Sequence, residues 1–126
     1  MSTPYDPSFE ADFGDGTYRF RLCGLKEWTE LEAKTGSPIF VTFERLRTRM
    51  CSATDIYEPI RLGLTGGGMK SAEALTLARN YVLGRPLLES LPLALQIVGT
   101  AIVGPPDLQK KSEPEDGEGE ETDASI

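Results

Sequence analysis

Residues 63–71 read GLTGGGMKS, three consecutive glycines followed by Met69, Lys70 and Ser71, the composition of a phosphate-binding loop. A Walker-type loop needs G-x-x-x-x-G-K and then Ser or Thr, because the lysine must leave the loop directly after the glycine to reach the β and γ phosphates. Here Met69 separates Gly68 from Lys70, so the register fails. The context fails with it: such a loop follows a buried strand, whereas this one follows the helical pattern of residues 53–64, and no strand ending in a magnesium-binding Asp is evident. The same glycines suit a helix–helix joint, since Gly66, Gly67 and Gly68 can take positive φ at no steric cost and Ser71 can cap the next helix. Their bare backbone would also let a partner approach closely.

Other constellations carry less. The chain has no histidine, which removes the commonest general base, the Ser-His-Asp triad and histidine-based metal sites together. Cys23 and Cys51 alone cannot make a structural zinc site and read as free buried thiols. Glu30 with Glu32, and Asp12 with Asp15, are paired carboxylates, but their predicted surface positions give no desolvation to tune an acid. The reading is a non-enzymatic protein without catalytic, metal or nucleotide-binding residues, and without a cofactor.

The bulk properties narrow the partners. A chain of 126 residues has room for one domain. Its net charge of −7 is uneven: residues 105–126 hold eight acids and two bases, and the remaining 12 acids and 11 bases leave −1 on residues 1–104. A nearly neutral body lacks the basic footprint by which nucleic-acid modules are recognised. No stretch approaches the roughly 20 unbroken apolar residues of a membrane span. The N-terminal MSTPYDPSFEADFGDG lacks the basic start and apolar run of a secretory signal, so a cytoplasmic location is expected.

The elements that must position any site follow from periodicity. Residues 1–8 read as a flexible lead-in. Phe9, Ala11 and Phe13 alternate with Glu10 and Asp12, and after Gly14-Asp15-Gly16, Tyr18, Phe20 and Leu22 alternate with Arg19 and Arg21, predicting a hairpin with one apolar face. Arg19 and Arg21 fall on its solvent side beside Glu10 and Asp12. Five short helices cover it. The first spans 25–35 with Leu25, Trp28 and Leu31 inward and Gly36 at its end. The second, capped by Ser37-Pro38, carries a core stripe of Ile39, Phe40, Phe43, Leu46 and Met50, with Arg45, Arg47 and Arg49 outward. The third opens on a capping box, Ser52 to Asp55, and Pro59 predicts a kink or early break in it. The fourth runs from Ser71 towards Gly84 through Leu75, Leu77, Ala78, Tyr81 and Val82. The last, PLLESLPLALQIVGTAIV, is apolar round much of its circumference and is expected at the centre of the core. Residues 105–126 read as a disordered acidic tail. The expected fold is thus α+β, mainly α: one domain over 9–104, a hairpin packed on about five short helices.

The order of these segments is similar to a known family. GDGTYRFRL, LKEWTELEAKTG, SATDIYEPIRLGLTGGG, SAEALTLARNYV and LPLALQIVGTAIVG resemble, over residues 9–104, the small gene transfer agent family of tailed-phage tail assembly chaperones, also labelled tail tube proteins of gene transfer agents. Ile56, Gly63-Leu64, Gly66-Gly67-Gly68 and the E-x-x-x-G spacing of Glu32 and Gly36 carry the likeness; Pro59 and the long acidic tail depart from it. The resemblance implies a chaperone that binds the apolar helical tape measure protein before tail tube subunits polymerise around it, and that is absent from the finished particle. Tail tube protein is a further partner, and a homo-oligomer stays open. Gly66, Gly67, Gly68, Met69, Leu87 and Leu88 are the expected contact residues. The competing readings are a structural tail component retained in the particle and a small nucleotide-binding regulator.

Overall fold

The computed structural model describes residues 4–105. In chain order it comprises β1 (Phe9–Phe13), β2 (Gly16–Phe20), α1 (Leu25–Thr35), α2 (Ile39–Thr48), α3 (Ala53–Gly66), α4 (Ser71–Ala78), a π-helical turn (Arg79–Leu83) continuing α4, and α5 (Leu87–Ile102). This is the α+β, mainly α, hairpin-plus-helices architecture the sequence predicts. The acidic tail expected at 105–126 lies outside the described residues, apart from Pro105.

β1 and β2 pair antiparallel with Phe9 opposite Phe20 and Phe13 opposite Gly16. Gly14 has φ 62° at the first position of the two-residue loop, the placement of glycine in a type II′ turn. The hairpin's apolar face seats Phe20, wholly buried, between α3 and α5, where a Cβ built on Gly63 would lie 3.3 Å from both Phe20 and Ile97. Trp28 on α1 donates its indole N–H to the Leu22 carbonyl at 3.4 Å. Residues 4–8, which read as a flexible lead-in, make defined contacts. Pro7 is fully buried, and Asp6 accepts from the Ser8 N–H and from Arg21, which together hold its carboxyl below the ordinary range.

The glycine run acts in a way the sequence does not reveal. Only Gly68 has positive φ, at 116°; Gly66 closes α3 and Gly67 stays at φ −80°. What Gly66 and Gly67 provide is room: a Cβ on Gly66 would stand 1.9 Å from the Arg21 carbonyl oxygen, and one on Gly67 2.1 Å from that of Arg19. The Arg21 N–H donates to the Gly63 carbonyl at 2.9 Å in the same seam. Glycine inside a helix costs about 1 kcal/mol relative to alanine. Here any side chain would overlap the strand, so that cost is offset.

α3 is the hub. It packs against β2, α1, α2, α4, the π-helical turn and α5, and Asp55, Ile56, Glu58, Pro59, Ile60, Leu62, Gly63 and Leu64 are buried along it. The sequence assigns the centre to α5, but Leu87 and Leu88 at its start are exposed and its contacts fall on α2, α3 and the π-helical turn. Gly63 and Gly66 on α3, with Gly67 just past its end, let neighbours approach more closely than the bulkier α5 allows. The capping box forms as predicted, the Asp55 N–H donating to Ser52 Oγ at 3.1 Å and the Ser52 N–H to Asp55 Oδ2 at 2.9 Å. Pro59 sits inside an unbroken helix. Arg61 joins α3 to α1, donating to Glu58 at 2.7 Å and to Glu30 at 3.1 Å.

Several expected caps and core positions differ. Pro38 rather than Ser37 stands before α2, and the Ile39 N–H is taken by Glu32 Oε2 at 2.9 Å, so a side chain of α1 caps α2. Lys70 precedes α4 without a side-chain cap and Ser71 is already helical. Leu25, Phe40, Met50 and Leu75, assigned to core stripes, are exposed. Thr42 and Ala74 take inward places instead, because the true buried rows are Ile39–Thr42–Leu46 and Ala74–Ala78–Val82.

Gly66→Ala and Gly67→Ala should each lower unfolding free energy by about 3 kcal/mol, the range of severe packing clashes. Ser52→Ala, which removes one cap bond, should cost about 1 kcal/mol. Denaturant midpoints of the three variants provide the comparison, and an equal small loss in all would deny the seam its role.

Candidate functional site

The paired carboxylates are engaged elsewhere. Glu30 binds Arg61 and Glu32 caps α2. Asp12 accepts from the Thr17 hydroxyl at 2.7 Å, and Asp15 accepts from the Tyr18 hydroxyl, a bond that raises the phenol's pKa. Cys23 and Cys51 are free and half-buried. Among the described residues no group of three His, Cys, Asp or Glu could hold a metal ion, and no helix is long and apolar enough to cross a membrane. Lys70 is exposed beside Gly68, in a joint entered from a helix rather than a strand, as the failed loop register implies.

The surface offers apolar area. A cleft of about 200 Å³ is lined by Arg49, Cys51, Ile56, Leu87, Leu88 and Leu91. Leu88 is 61% exposed, and Met50, between the lining residues Arg49 and Cys51, is 78% exposed. Local backbone chemistry places both. Arg49 takes the left-handed conformation at φ 64°, and the Met50 N–H closes on the Arg45 carbonyl at 2.9 Å while the Arg49 N–H reaches Leu46 at 3.4 Å. This is the Schellman arrangement, built on an arginine where glycine is usual, and it turns Met50 outward from the end of α2. On the facing side Pro86 precedes α5, so Leu87 and Leu88 fall on its first turn. Burial, then the Asp55 charge, pushes the Cys51 thiol up.

The six contact residues expected from sequence do not form one surface. Leu87 and Leu88 adjoin Ile56 near the start of α3, whereas Gly66, Gly67, Gly68 and Met69 lie at its other end, about 15 Å away along the helix axis. Met69 is half-buried against the core, its N–H on the Leu64 carbonyl at 3.0 Å. The close approach that Gly66 and Gly67 permit is occupied by β2 of this chain. Sequence reasoning missed Arg49, Met50 and Cys51. Met50 continues the heptad-like spacing of α2, and only the left-handed Arg49, which no residue preference announces, takes it off that face.

Searches of curated proteins and of solved structures gave no match. The family model described as phage tail tube protein, GTA-gp10, matches residues 6–104, the whole hairpin and every helix. The chain therefore belongs to the GTA-gp10 family of phage tail tube proteins of gene transfer agents.

Proposed function

We propose that this protein is a non-enzymatic tail assembly chaperone of a phage-like particle, binding the tape measure protein in the host cytoplasm before the tail tube polymerises and leaving before the particle matures. The observation that carries this reading is the apolar cleft flanked by Met50, Leu87 and Leu88 on a helical scaffold. A tape measure chain presents long apolar helical stripes that would self-associate, and a groove between helices receives such a stripe at i, i+3, i+4 and i+7 spacing. A small contact also permits exchange, because the tube must replace the chaperone. The acidic residues beyond 105 add repulsion that keeps a complex dispersed.

A second reading, a structural subunit retained in the particle, draws on the family's description as tail tube protein. Against it stands the small sheet: among the described residues there are two strands, and a tube closed through β-structure needs more edge than one hairpin supplies.

Co-expression with the tape measure protein should raise that protein's soluble yield, and Leu88→Asp with Met50→Asp should remove the gain while leaving thermal unfolding unchanged. If tape measure solubility does not depend on this protein, the chaperone reading fails. Mass spectrometry of purified particles should find it absent or minor; many copies per particle would establish the structural reading instead. Cys51 offers a footprint. Its raised pKa favours the neutral thiol, so alkylation at pH 7.5 should be slower than for a free thiol and accelerate above the ordinary thiol range. Bound tape measure should slow it further.

A further inference from the structure

We propose that Arg49 is the specificity-determining residue of the cleft beside Leu87 and Leu88, and that it selects a helix carrying an acidic side chain one turn from its apolar anchor. The inference rests on the reading that this cleft receives a helical stripe of the tape measure protein, and adds the charge which that stripe must present. Arg49 stands where α2 ends, with φ 64°. Glycine takes this left-handed conformation at no steric cost, whereas a residue with a Cβ is disfavoured there. The arginine is thus a departure from what the local backbone prefers, and such departures persist where another demand outweighs the strain.

Among the described residues the fold supplies no such demand: the Arg49 guanidinium has no ion pair and no side-chain hydrogen bond, while its neighbours are committed, Arg45 lying 3.8 Å from Asp55 and Arg47 binding Glu44 at 2.7 Å. A cation near a helix C-terminus gains from the helix dipole, but Arg45 and Arg47 already occupy the last turn of α2. Arg49 lines the cleft, and the other lining residues are Cys51, Ile56, Leu87, Leu88 and Leu91, none of them acidic. The carboxylates next to these residues in sequence are engaged: Asp55, wholly buried, with Arg45, and Glu89 with Arg85 at 2.9 Å. An apolar floor edged by an exposed guanidinium is complementary to an amphipathic helix with a carboxylate beside its apolar residue, because positions three and four apart share a face with Cβ atoms about 5 to 6 Å apart. A helix with lysine or arginine at that place would set two like charges together at the mouth of the cleft.

Two synthetic helical peptides test this, titrated by calorimetry into the full chain. Both carry leucines at i, i+3, i+4 and i+7, flanked by glutamates in one and by lysines in the other. The Glu peptide should bind on the order of tenfold more tightly at low salt, an attraction replacing a repulsion, and the difference should shrink as salt is added. The chain's net charge of −7 would by itself favour the Lys peptide, so general steering predicts the opposite order. Arg49→Gln and Arg49→Gly should remove most of the difference and Arg49→Lys should keep it. Arg49→Gly should also leave the denaturant midpoint unchanged or raised, because glycine suits φ 64°. Tighter binding of the Lys peptide, a preference that Arg49→Gln leaves intact, or a lowered midpoint in Arg49→Gly overturns the proposal. Binding of both peptides without discrimination overturns it alone and leaves the chaperone reading in place, whereas failure of both to bind removes the cleft as a helix site and the proposal with it.

Discussion

Two backbone carbonyls, that of Arg19 in β2 and that of Arg21 just past its end, lie against the end of α3 at Gly67 and Gly66 with no side chain between them, and the remaining elements take their places around that seam. A two-stranded ribbon in water is marginal at best. Held to α3, it presents Phe20 to a pocket floored by Gly63 and walled by Ile97, and burial of one such ring contributes about 2 kcal/mol. The Cα–H groups that stand where Cβ atoms would be face carbonyl oxygens, a weak attraction that is secondary to the steric fact. The seam also explains why the hub is α3 rather than the more apolar α5. A helix can be touched on every side only if some of its sides are nearly bare.

Around this hub polar groups set position while apolar groups supply most of the stabilisation. Arg61 with Glu58 and Glu30 pins α1 to α3 from partly buried sites. Such a pair is weak evidence of net stability, because desolvation offsets much of its attraction, yet removal of Arg61 would strand Glu58 and cost roughly 3 to 5 kcal/mol. Glu32 reaching across to the Ile39 N–H is the same device at lower stakes. Asp55 goes further: wholly buried, it closes the capping box and lies 3.8 Å from Arg45, while Oδ1 has no partner among the described residues.

How much of this was legible depended on whether the deciding contact was local. The hairpin register, the Ser52–Asp55 box and the Gly36 helix end are set by residues within a few positions of one another, and each follows from sequence pattern. Phe40 and Leu75 were misplaced because apolar spacing alone cannot choose between two adjacent helix faces. The choice fell to Thr42 and Ala74, whose small size suits the crowded side. The glycine run showed that something there needed glycine; that β2 was the reason is a contact across more than forty residues. The candidate surface was half visible, through Leu87 and Leu88. Its other half depends on an arginine in a backbone conformation that residue preference disfavours.

The turn at Arg79–Leu83 has its own consequence. There the helix widens, the Gly84 N–H returning to the carbonyl of Arg79 five residues back, which leaves Val82 buried with Ala74 and Ala78 while the Tyr81 ring lies beneath the hairpin loop, too close to Gly14 for any Cβ. A π turn is an α turn holding one surplus residue. Chain length at this point is therefore a variable separate from side-chain identity: loss of one residue would restore ordinary helical winding and draw the aromatic ring out from under the hairpin loop, altering how the two halves of the domain meet without changing a single core side chain.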